Sequence, residues 1–341
     1  MAAASSSPGS GTLLAGLRDR VLAAAHPADP DCPCGPTRTL ADRPDATVVR
    51  HGDTVAKAHA PGTVLADLAP RLAVAAGLPD VFLPPLATTP LPVDGRLVTF
   101  WPYGTPVDPD DPDAAPWEAV ATLLARLHRT PPPPGTGPLP AMRGPWKAAR
   151  AVAALETPAV PRPAHPTAAR PTAARPASAH PAVPHLLRAW AALPAWARAE
   201  APQPGRAGLC HGDLHLGQLV RRPARGGAWL LIDVDDVGVG VPAWDLARPA
   251  AWYACGLLPP DEWARFLAAY RAAGGPAVPA DGDPWPALDV PARALTLQTA
   301  ARALTKAAAE DRPPDEVELS VIDACVRMAS TAPELTRGHA G

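Results

Sequence analysis

The chain has 341 residues, 47% hydrophobic and 19% charged, which is enough for about two domains or one two-lobed enzyme. Its formal net charge is −2, so it lacks the clustered cations with which nucleic-acid-binding proteins neutralise phosphates. It has no apolar run long enough to cross a membrane, and its five cysteines are too few and odd in number for a disulfide framework. These features argue against nucleic-acid and membrane partners, predict a cytoplasmic protein and favour small-molecule chemistry.

The first hundred residues predict an antiparallel sheet with helices. Residues 1–11, rich in Ala, Ser and Gly, are expected to form a loose tail. Apolar spacing and turn signals then predict a helix, a hairpin around the His-Gly-Asp turn at 51–53, a second helix and a hairpin at Asp-Gly 94–95. We therefore predict a small β-rich lobe over residues 12–103. The predicted elements cover residues 13–25, 47–58, 63–76 and 91–101.

Helical patterns dominate after residue 104 and predict a larger, mainly helical lobe over residues 104–335. The exception is 157–184, which is punctuated by proline and nearly repeats PTAAR. Such a stretch is unsuited to a helix or a central strand, so we expect an extended, disordered insertion on the surface. One predicted helix begins near Trp117, and three others cover residues 185–200, 261–273 and 290–309.

Oxygen-bearing side chains cluster in two neighbouring segments of this second half. Residues 210–220 read CHGDLHLGQLV, with a carboxylate at Asp213 and a carboxamide five residues later at Gln218. A second carboxylate, Asp233, ends a short apolar run. Hard divalent cations such as Mg²⁺ are bound by one or two carboxylates together with substrate phosphates. If Asp213 faces an acceptor hydroxyl while Gln218 and Asp233 hold the metal, the pattern matches the kinase solution to phosphoryl transfer.

These segments resemble the aminoglycoside and choline-kinase-like phosphotransferases, which share the protein-kinase fold. The resemblance rests on CHGDLHLGQLV at 210–220 and LIDVDDVGVGVPAWDLA at 231–247, whose order and spacing agree with the family's catalytic loop and metal-binding segment. It implies that Asp213 is the catalytic base, that Asp233 is the main metal ligand and that Gln218 is another. The resemblance also implies a loop-orienting role for His211 and for Asp245, and a supporting role for Asp235.

Lysine is rare in this chain, since only three of its 31 cations are lysine and the others are arginine. Lys57 nevertheless stands mid-strand in TVAKAHA, and kinases place a lysine that contacts nucleotide phosphates on their third strand. An exposed lysine on a strand face is the alternative interpretation. The resemblance offers Asp67, on the following helix, as the ion-pair partner in place of the usual Glu.

The stretch VTFWPY is placed by the same resemblance at the hinge that binds adenine. Thr99, Phe100 and Trp101 are therefore candidates for cofactor binding, although core packing explains the last two nearly as well. No glycine-rich phosphate loop is visible, so the nucleotide-phosphate loop is placed by position alone near residues 40–45.

Two departures from the family pattern favour a second hypothesis. The chain contains no Asn, and Gln218 stands where the family has Asn. Val241 stands where an acid is common. Together with the missing glycine loop, these departures suggest the alternative of a catalytically weak, nucleotide-binding regulatory module, resembling a pseudokinase.

Other chemistries have weaker support. Cys32-Pro-Cys34 lacks a matching second pair for zinc, and His211, Asp213 and His215 lack the Glu of a zinc hydrolase motif. The second His-Gly-Asp, at 51–53, is interpreted as a turn. An acidic run between Glu310 and Glu318 fits either a cationic-substrate surface or the solvated start of a helix.

The sequence thus predicts an α+β, two-lobed protein-kinase-like fold with an active site between the lobes. We expect a phosphotransferase that uses ATP (or GTP) with Mg²⁺ and phosphorylates a hydroxyl of a small molecule. An aminoglycoside-like or other cationic molecule is one candidate acceptor.

Overall fold

The computed structural model describes five stretches of the chain, which form two compact units. The first unit is built from the residues up to Ala141 together with His215–Gly238, and the second from Met142–Leu214 together with the residues from Val239 on. No helix within the described stretches is long and apolar enough to cross a membrane. The described stretches are residues 10–26, 34–111, 114–157, 176–205 and 207–330.

A five-stranded antiparallel sheet forms the centre of the first unit. Its strands are β1 (Arg38–Arg43), β2 (Ala46–His51), β3 (Thr54–Ala58), β4 (Leu91–Val93) and β5 (Arg96–Pro102). Their order across the sheet is β1-β2-β3-β5-β4. The predicted hairpin at 47–58 is confirmed, because Thr47 pairs with Ala58 and His51 with Thr54. The second predicted hairpin is confirmed by the pairing of Val93 with Arg96.

Helix α1 (Ser10–Ala25) packs on one face of this sheet. Leu13, Leu17 and Val21 recur every four residues, so they lie on one side of the helix. They form a buried cluster with alternate residues of the strands. Because successive strand residues point to opposite faces, the residues between them point away from α1. The strand residues of the cluster are Val49, Ala56, Ala58, Val93, Val98 and Phe100.

A second, smaller sheet completes the first unit with two helices. The helices are α2 (Leu65–Gly77) and α3 (Trp117–Arg129), and the strands are β6 (Thr105–Pro106), β8 (Leu219–Arg222) and β9 (Ala228–Leu231). β8 lies between β6 and β9. The N–H of Leu83 donates to the carbonyl of Leu231 over 2.9 Å, and the N–H of Leu231 donates to the carbonyl of Val81 over 2.8 Å. These bonds fix the hairpin of β8 and β9 beside the chain that follows α2.

The second unit is mainly helical. Its helices are α4 (Gly144–Ala153), α5 (Val183–Ala191), α6 (Ala247–Ala254), α7 (Pro260–Ala272), α8 (Trp285–Ala309) and α9 (Glu316–Ser330). The long helix α8 contacts α4, α6 and α9. A two-stranded pair joins β7 (Gly208–Cys210) to β10 (Gly238–Gly240), whose last two residues belong to this unit.

Proline in this chain often starts helices. Helices α4, α5, α7 and α8 each carry a proline in the first two positions, where the missing N–H removes no helical hydrogen bond. This use of proline explains why the end of segment 157–184, which was predicted to be a disordered insertion, contains helical structure. Residues 158–175 lie outside the described stretches, but Ala177–Ala179 form a 3₁₀ turn and α5 begins at Val183. The lobe boundary at 103/104 stays a prediction.

Candidate active site

Lys57 is the centre of a polar cluster in the first unit. It lies on β3, on the face of the sheet opposite to α1, and its side chain is 11% exposed. Its Nζ lies 2.7 Å from Oδ1 of Asp233 and 2.9 Å from Oδ2 of Asp235. A lysine this buried needs a counter-charge, because burial without one disfavours the ammonium. The two carboxylates provide it.

The charges of this cluster shift the pKa of each member towards its ionised form. Burial opposes the ammonium of Lys57, but the charges of Asp233 and Asp235 outweigh burial and raise its pKa above the usual value. Burial likewise opposes both carboxylates, yet the ammonium of Lys57 lowers the pKa of Asp233 and of Asp235. All three groups are therefore charged at neutral pH.

The backbone at Asp233 turns sharply to bring both carboxylates to Lys57. Asp233 has φ +68°, a left-handed conformation that Asp and Asn tolerate better than other non-glycine residues. Its Oδ1 accepts a hydrogen bond from the N–H of Asp235 over 3.2 Å. The turn therefore lets two residues of one short segment face the same ammonium.

Gln218 reaches Asp233 through the register of the β8–β9 hairpin. Leu219 pairs with Leu231, and one step further the N–H of Ile232 donates to the carbonyl of Gln218 over 2.9 Å. The backbone of Gln218 therefore lies opposite Ile232, the residue before Asp233. The Gln218 amide nitrogen lies 3.4 Å from Oδ2 of Asp233. The structure therefore brings four predicted site residues together: Lys57, Gln218, Asp233 and Asp235.

His59 is a member of the cluster that we did not predict. It is fully buried, and its Nδ1 lies 2.6 Å from Oδ1 of Asp235. Because an ionised carboxylate only accepts, Nδ1 carries the hydrogen. Nε2 of His59 lies 2.8 Å from the hydroxyl of Thr99, which in turn accepts a hydrogen bond from Trp101 Nε1 over 2.8 Å. A continuous chain of hydrogen bonds thus links Lys57, through Asp235, to Trp101.

A cavity of about 440 Å³ opens beside this cluster, within the first unit. Lys57, Asp233 and Gln218 line its polar part. Its walls are mainly apolar, and they include Leu40, Ala41 and Arg43 of β1, in the region predicted to hold nucleotide phosphates. The apolar lining residues include Val48, Val55, Leu83, Trp101, Val220 and Ile232.

The three hinge candidates have different positions. Trp101 lines the cavity, and Thr99 lies on the same face of β5, hydrogen-bonded to His59. Phe100 points to the other face and packs in the α1 cluster, so its side chain is part of the core. Its backbone carbonyl accepts a hydrogen bond from the N–H of Leu86 over 2.8 Å.

Asp213 lies in the second unit, where two cations hold its carboxylate. Lys147 of α4 places Nζ 2.5 Å from Oδ2, and Arg248 of α6 places Nη2 3.0 Å from Oδ1. Arg248 also donates from Nε to the carbonyl of Leu214 over 2.8 Å. Burial lowers the pKa of Arg248, and the charge of Asp213 partly restores it. Lys147 and Arg248 were not among the predicted site residues.

Asp245 holds the backbone of the loop that carries Asp213. Its Oδ2 accepts from the N–H of His211 over 2.6 Å, and its Oδ1 accepts from the N–H of Gly212 over 2.8 Å. His211 and Asp245 are each 1% exposed. Gly212 has φ +87°, a conformation that glycine adopts without strain. In these two contacts the Asp245 side chain holds the loop backbone, and His211 contributes its backbone N–H.

Two further predicted features lie outside these clusters. Asp67 is exposed in the first turn of α2, and the carboxylates that contact Lys57 in the described stretches are those of Asp233 and Asp235. Two residues of the acidic run cap a helix: Asp315 and Glu318 accept hydrogen bonds from each other's backbone N–H at the start of α9. This reciprocal cap, with Arg312 bound to Glu318, matches the helix-start interpretation.

Comparison with known proteins defines the class of this chain. The sequence profile described as "Phosphotransferase enzyme family" matches residues 39–288. The chain therefore belongs to this phosphotransferase family. No individually curated protein sequence matches the chain.

Solved structures confirm the predicted fold. A choline/ethanolamine kinase family protein from Mesorhizobium loti is 18% identical and superposes with a TM-score of 0.52, over 94% of this chain and 97% of that chain. An aminoglycoside phosphotransferase from Streptomyces rimosus is 20% identical, with a TM-score of 0.52 over 82% and 97% of the two chains. A spectinomycin phosphotransferase in complex with ADP and spectinomycin is 12% identical, with a TM-score of 0.51 over 87% and 92%. The α+β, protein-kinase-like class is thus confirmed.

Proposed function

We propose that this protein transfers the γ-phosphoryl group of ATP or GTP to a hydroxyl of a small molecule. The observation that carries the proposal is the cluster of Lys57, Asp233 and Gln218 in the polar part of a largely apolar cavity. A nucleoside triphosphate has matching polar and apolar parts, since the faces of its flat base are largely apolar while its phosphates are anionic. Family membership supports the same reaction class.

The cavity suits a nucleotide in size and lining. Its volume of about 440 Å³ lies within the range of small-molecule sites. Trp101, Val48 and Val55 provide apolar walls for a purine base. Lys57 offers a compact positive charge for the phosphates, as lysine does in kinases. Its carboxylate partners fix the ammonium, so little side-chain entropy is lost when the phosphates bind.

The donor set beside Lys57 fits a hard divalent cation. Two carboxylates and a carboxamide supply oxygen ligands of the kind that Mg²⁺ prefers, so Asp233 and Gln218 would hold the ion and Asp235 would support them. A bound Mg²⁺ neutralises charge on the phosphate oxygens during transfer. Oδ1 of Asp233 is committed to Lys57, whereas its Oδ2 faces the amide of Gln218. The Gln218 side chain needs only to turn its amide for its oxygen to face the same space.

Asp213 is proposed as the residue that accepts the proton of the acceptor hydroxyl. Lys147 and Arg248 hold its two oxygens in a fixed orientation. An ionised carboxylate has about four acceptor positions, so two cations do not use all of them. Because phosphoryl transfer needs little covalent help from the protein, a base of modest strength suffices to orient the hydroxyl and take its proton late in the reaction.

A coupled assay of nucleotide consumption tests this function. The purified chain is incubated with ATP or GTP, with Mg²⁺ or EDTA, and with a panel of hydroxyl-bearing amines, aminoglycosides and amino alcohols, and products are identified by mass spectrometry. We expect a product carrying one added phosphoryl group. Asp213→Asn should lower kcat by about 10²–10⁴-fold while nucleotide binding persists.

Matched variants separate the two hypotheses from the sequence. Lys57→Met should abolish nucleotide affinity, whereas Lys306→Met, at an exposed position of α8, should behave as wild type. Nucleotide binding that depends on Lys57 without turnover of any acceptor would favour the regulatory module. Undiminished turnover in Asp213→Asn would refute the proposed base.

A further inference from the structure

A cluster of nitrogen and sulfur donors lies at the turn end of the β2–β3 hairpin. His26 follows α1 directly, Cys34 precedes β1, and His51 is the last residue of β2. One ligand atom from each of the three residues lies within 4.8 Å of the others. From the sequence we considered Cys34 for zinc only as part of Cys32-Pro-Cys34, which lacks a matching second pair, and we did not connect Cys34 with His26 and His51, which lie seven and sixteen intervening residues away.

The cluster is close to the geometry of a metal site. Nε2 of His26 lies 3.2 Å from Sγ of Cys34. Donors bound to one tetrahedral zinc ion at 2.0–2.3 Å stand roughly 3.3–3.7 Å apart. The rings of His26 and His51 meet edge to face with centroids 5.4 Å apart. Small side-chain movements would therefore bring all three donors onto a single ion.

The surroundings resemble those of metal-bound histidines. The hydroxyl of Thr37 lies 3.3 Å from Nδ1 of His51 and orients that imidazole, as outer-shell partners do. His51 is 4% exposed, whereas Cys34 is exposed, so the site has both a fixed anchor and an opening to solvent. A side chain at position 52 would come within 3.2 Å of Cys34 Sγ, and Gly52, with φ +54°, leaves this space open.

We propose that His26, Cys34 and His51 form a binding site for a borderline transition-metal cation such as Zn²⁺, with water as the fourth ligand. Two imidazoles and a thiolate are donors that select Zn²⁺ and related ions over Mg²⁺, which takes oxygen ligands. Binding releases the thiol proton of Cys34 to solvent as the metal–sulfur bond forms. Nothing in the phosphotransferase reaction uses these residues.

The site is separate from the cluster of Lys57. By strand alternation His51 is on the same face as Val49, which packs against α1, whereas Lys57 points to the opposite face. A bound ion would connect the end of α1, the start of β1 and the end of β2. Such an ion would cross-link α1 to the hairpin that follows, while its water ligand leaves one coordination position open.

Cobalt(II) gives a direct test, because a cobalt–thiolate bond produces an ultraviolet charge-transfer band that oxygen ligands do not. The full chain, reduced with a phosphine, is titrated with Co²⁺ in excess Mg²⁺, and Zn²⁺ is then added in competition. We expect a one-to-one complex with the thiolate band, displaced by Zn²⁺. Zn²⁺ should also raise the midpoint of thermal unfolding.

Variants locate the site. Cys34→Ser should remove the band and the Zn²⁺-induced thermal shift, and His26→Gln and His51→Gln should each weaken Co²⁺ binding by more than about 10-fold. The matched control Cys255→Ser, a half-buried thiol of the second unit, and Asp233→Asn should leave the band unchanged. The assignment is overturned if the wild type shows no thiolate band, if the band survives in Cys34→Ser, or if both histidine variants bind as tightly as the wild type. Circular dichroism of each variant verifies that it is folded.

Discussion

Nζ of Lys147 lies 2.5 Å from Oδ2 of Asp213, so a helix of the second unit holds the carboxylate of the proposed base. Lys147 precedes Asp213 by 66 residues in sequence, and Arg248 of α6 binds the other carboxylate oxygen. The proposed base is therefore fixed from both sides. Its orientation depends on the packing of the helical unit as much as on the loop itself.

Removal of the Lys147 ammonium should slow phosphoryl transfer without weakening nucleotide binding. We expect Lys147→Met to lower kcat by about 10–100-fold, since a misplaced reacting group costs up to about that factor. Loss of a neighbouring positive charge also favours the protonated carboxyl, so the acid limb of the pH–rate profile should move to higher pH. Lys147→Arg should recover part of the rate. Lys306→Met serves as the control, and an unchanged kcat in Lys147→Met would contradict this positioning role.

His59 should act through Asp235 on Lys57. His59→Ala leaves Asp235 and Thr99 without their imidazole partner, and loss of a buried hydrogen bond costs about 1–3 kcal/mol of unfolding free energy. We expect KM for the nucleotide to rise as Lys57 loses its fixed position, with a smaller change in kcat. His59→Asn retains a donor for Asp235 and should recover nucleotide affinity. A KM that is equal in wild type and His59→Ala would reject the coupling.

How much of this site the sequence predicts depends on how far apart the contacting residues lie along the chain. Lys57 could be found because lysine is scarce here and stands in a strand. His59 lies two residues further, hence on the same face, and this alternation was an available signal that we did not use. Its partner Asp235 is 176 residues away, and pattern alone does not reveal such a pairing.

The second unit shows the same limit. Lys147 is as rare in type as Lys57, but it occurs in a helix without a motif, so nothing in its neighbourhood connects it with Asp213. The fold class could be predicted because hairpin signals and the catalytic-loop spacing are local. The α1 cluster explains the role of Phe100, whose packing on the sheet face opposite to Trp101 follows from strand alternation. Residues 158–175 of the predicted insertion lie outside the described stretches.

Gln218 should support metal binding through its carboxamide. The hairpin register places this side chain beside Asp233, so Gln218→Ala should raise the Mg²⁺ concentration for half-maximal rate by about 10-fold or more. Gln218→Asn keeps the amide on a shorter stem and should require the same Mg²⁺ concentration or less. The measurement is a Mg²⁺ titration of initial rate at saturating nucleotide. A severe loss in Gln218→Asn would show instead that the site is built around the longer side chain.

Asp67 and Asp235 should differ sharply on substitution. Asp67 is exposed, so Asp67→Asn should change kcat/KM by less than about 2-fold and stability by less than about 0.5 kcal/mol. Asp235→Asn removes a charge that faces both Lys57 and His59 and should cost about 1–3 kcal/mol in urea unfolding. If Asp67→Asn were the more damaging change, Lys57 would have to exchange partners during the reaction.

The cap of α9 predicts a defined dependence of stability on pH. The hydrogen bond from Arg312 outweighs the opposing effect of burial and lowers the pKa of Glu318 to about 2. Because this pKa lies below that of the unfolded chain, the carboxylate stabilises the fold above about pH 4.5 and loses that effect as the pH falls towards about 2. Glu318→Gln should therefore lower the thermal midpoint most near neutral pH, with a difference from wild type that shrinks through about pH 3. Glu316→Gln, two residues earlier and exposed, should give a difference that does not vary in this way. A Glu318→Gln difference that stays constant from about pH 6 to about pH 3 would mean that the cap does not depend on the charge of Glu318.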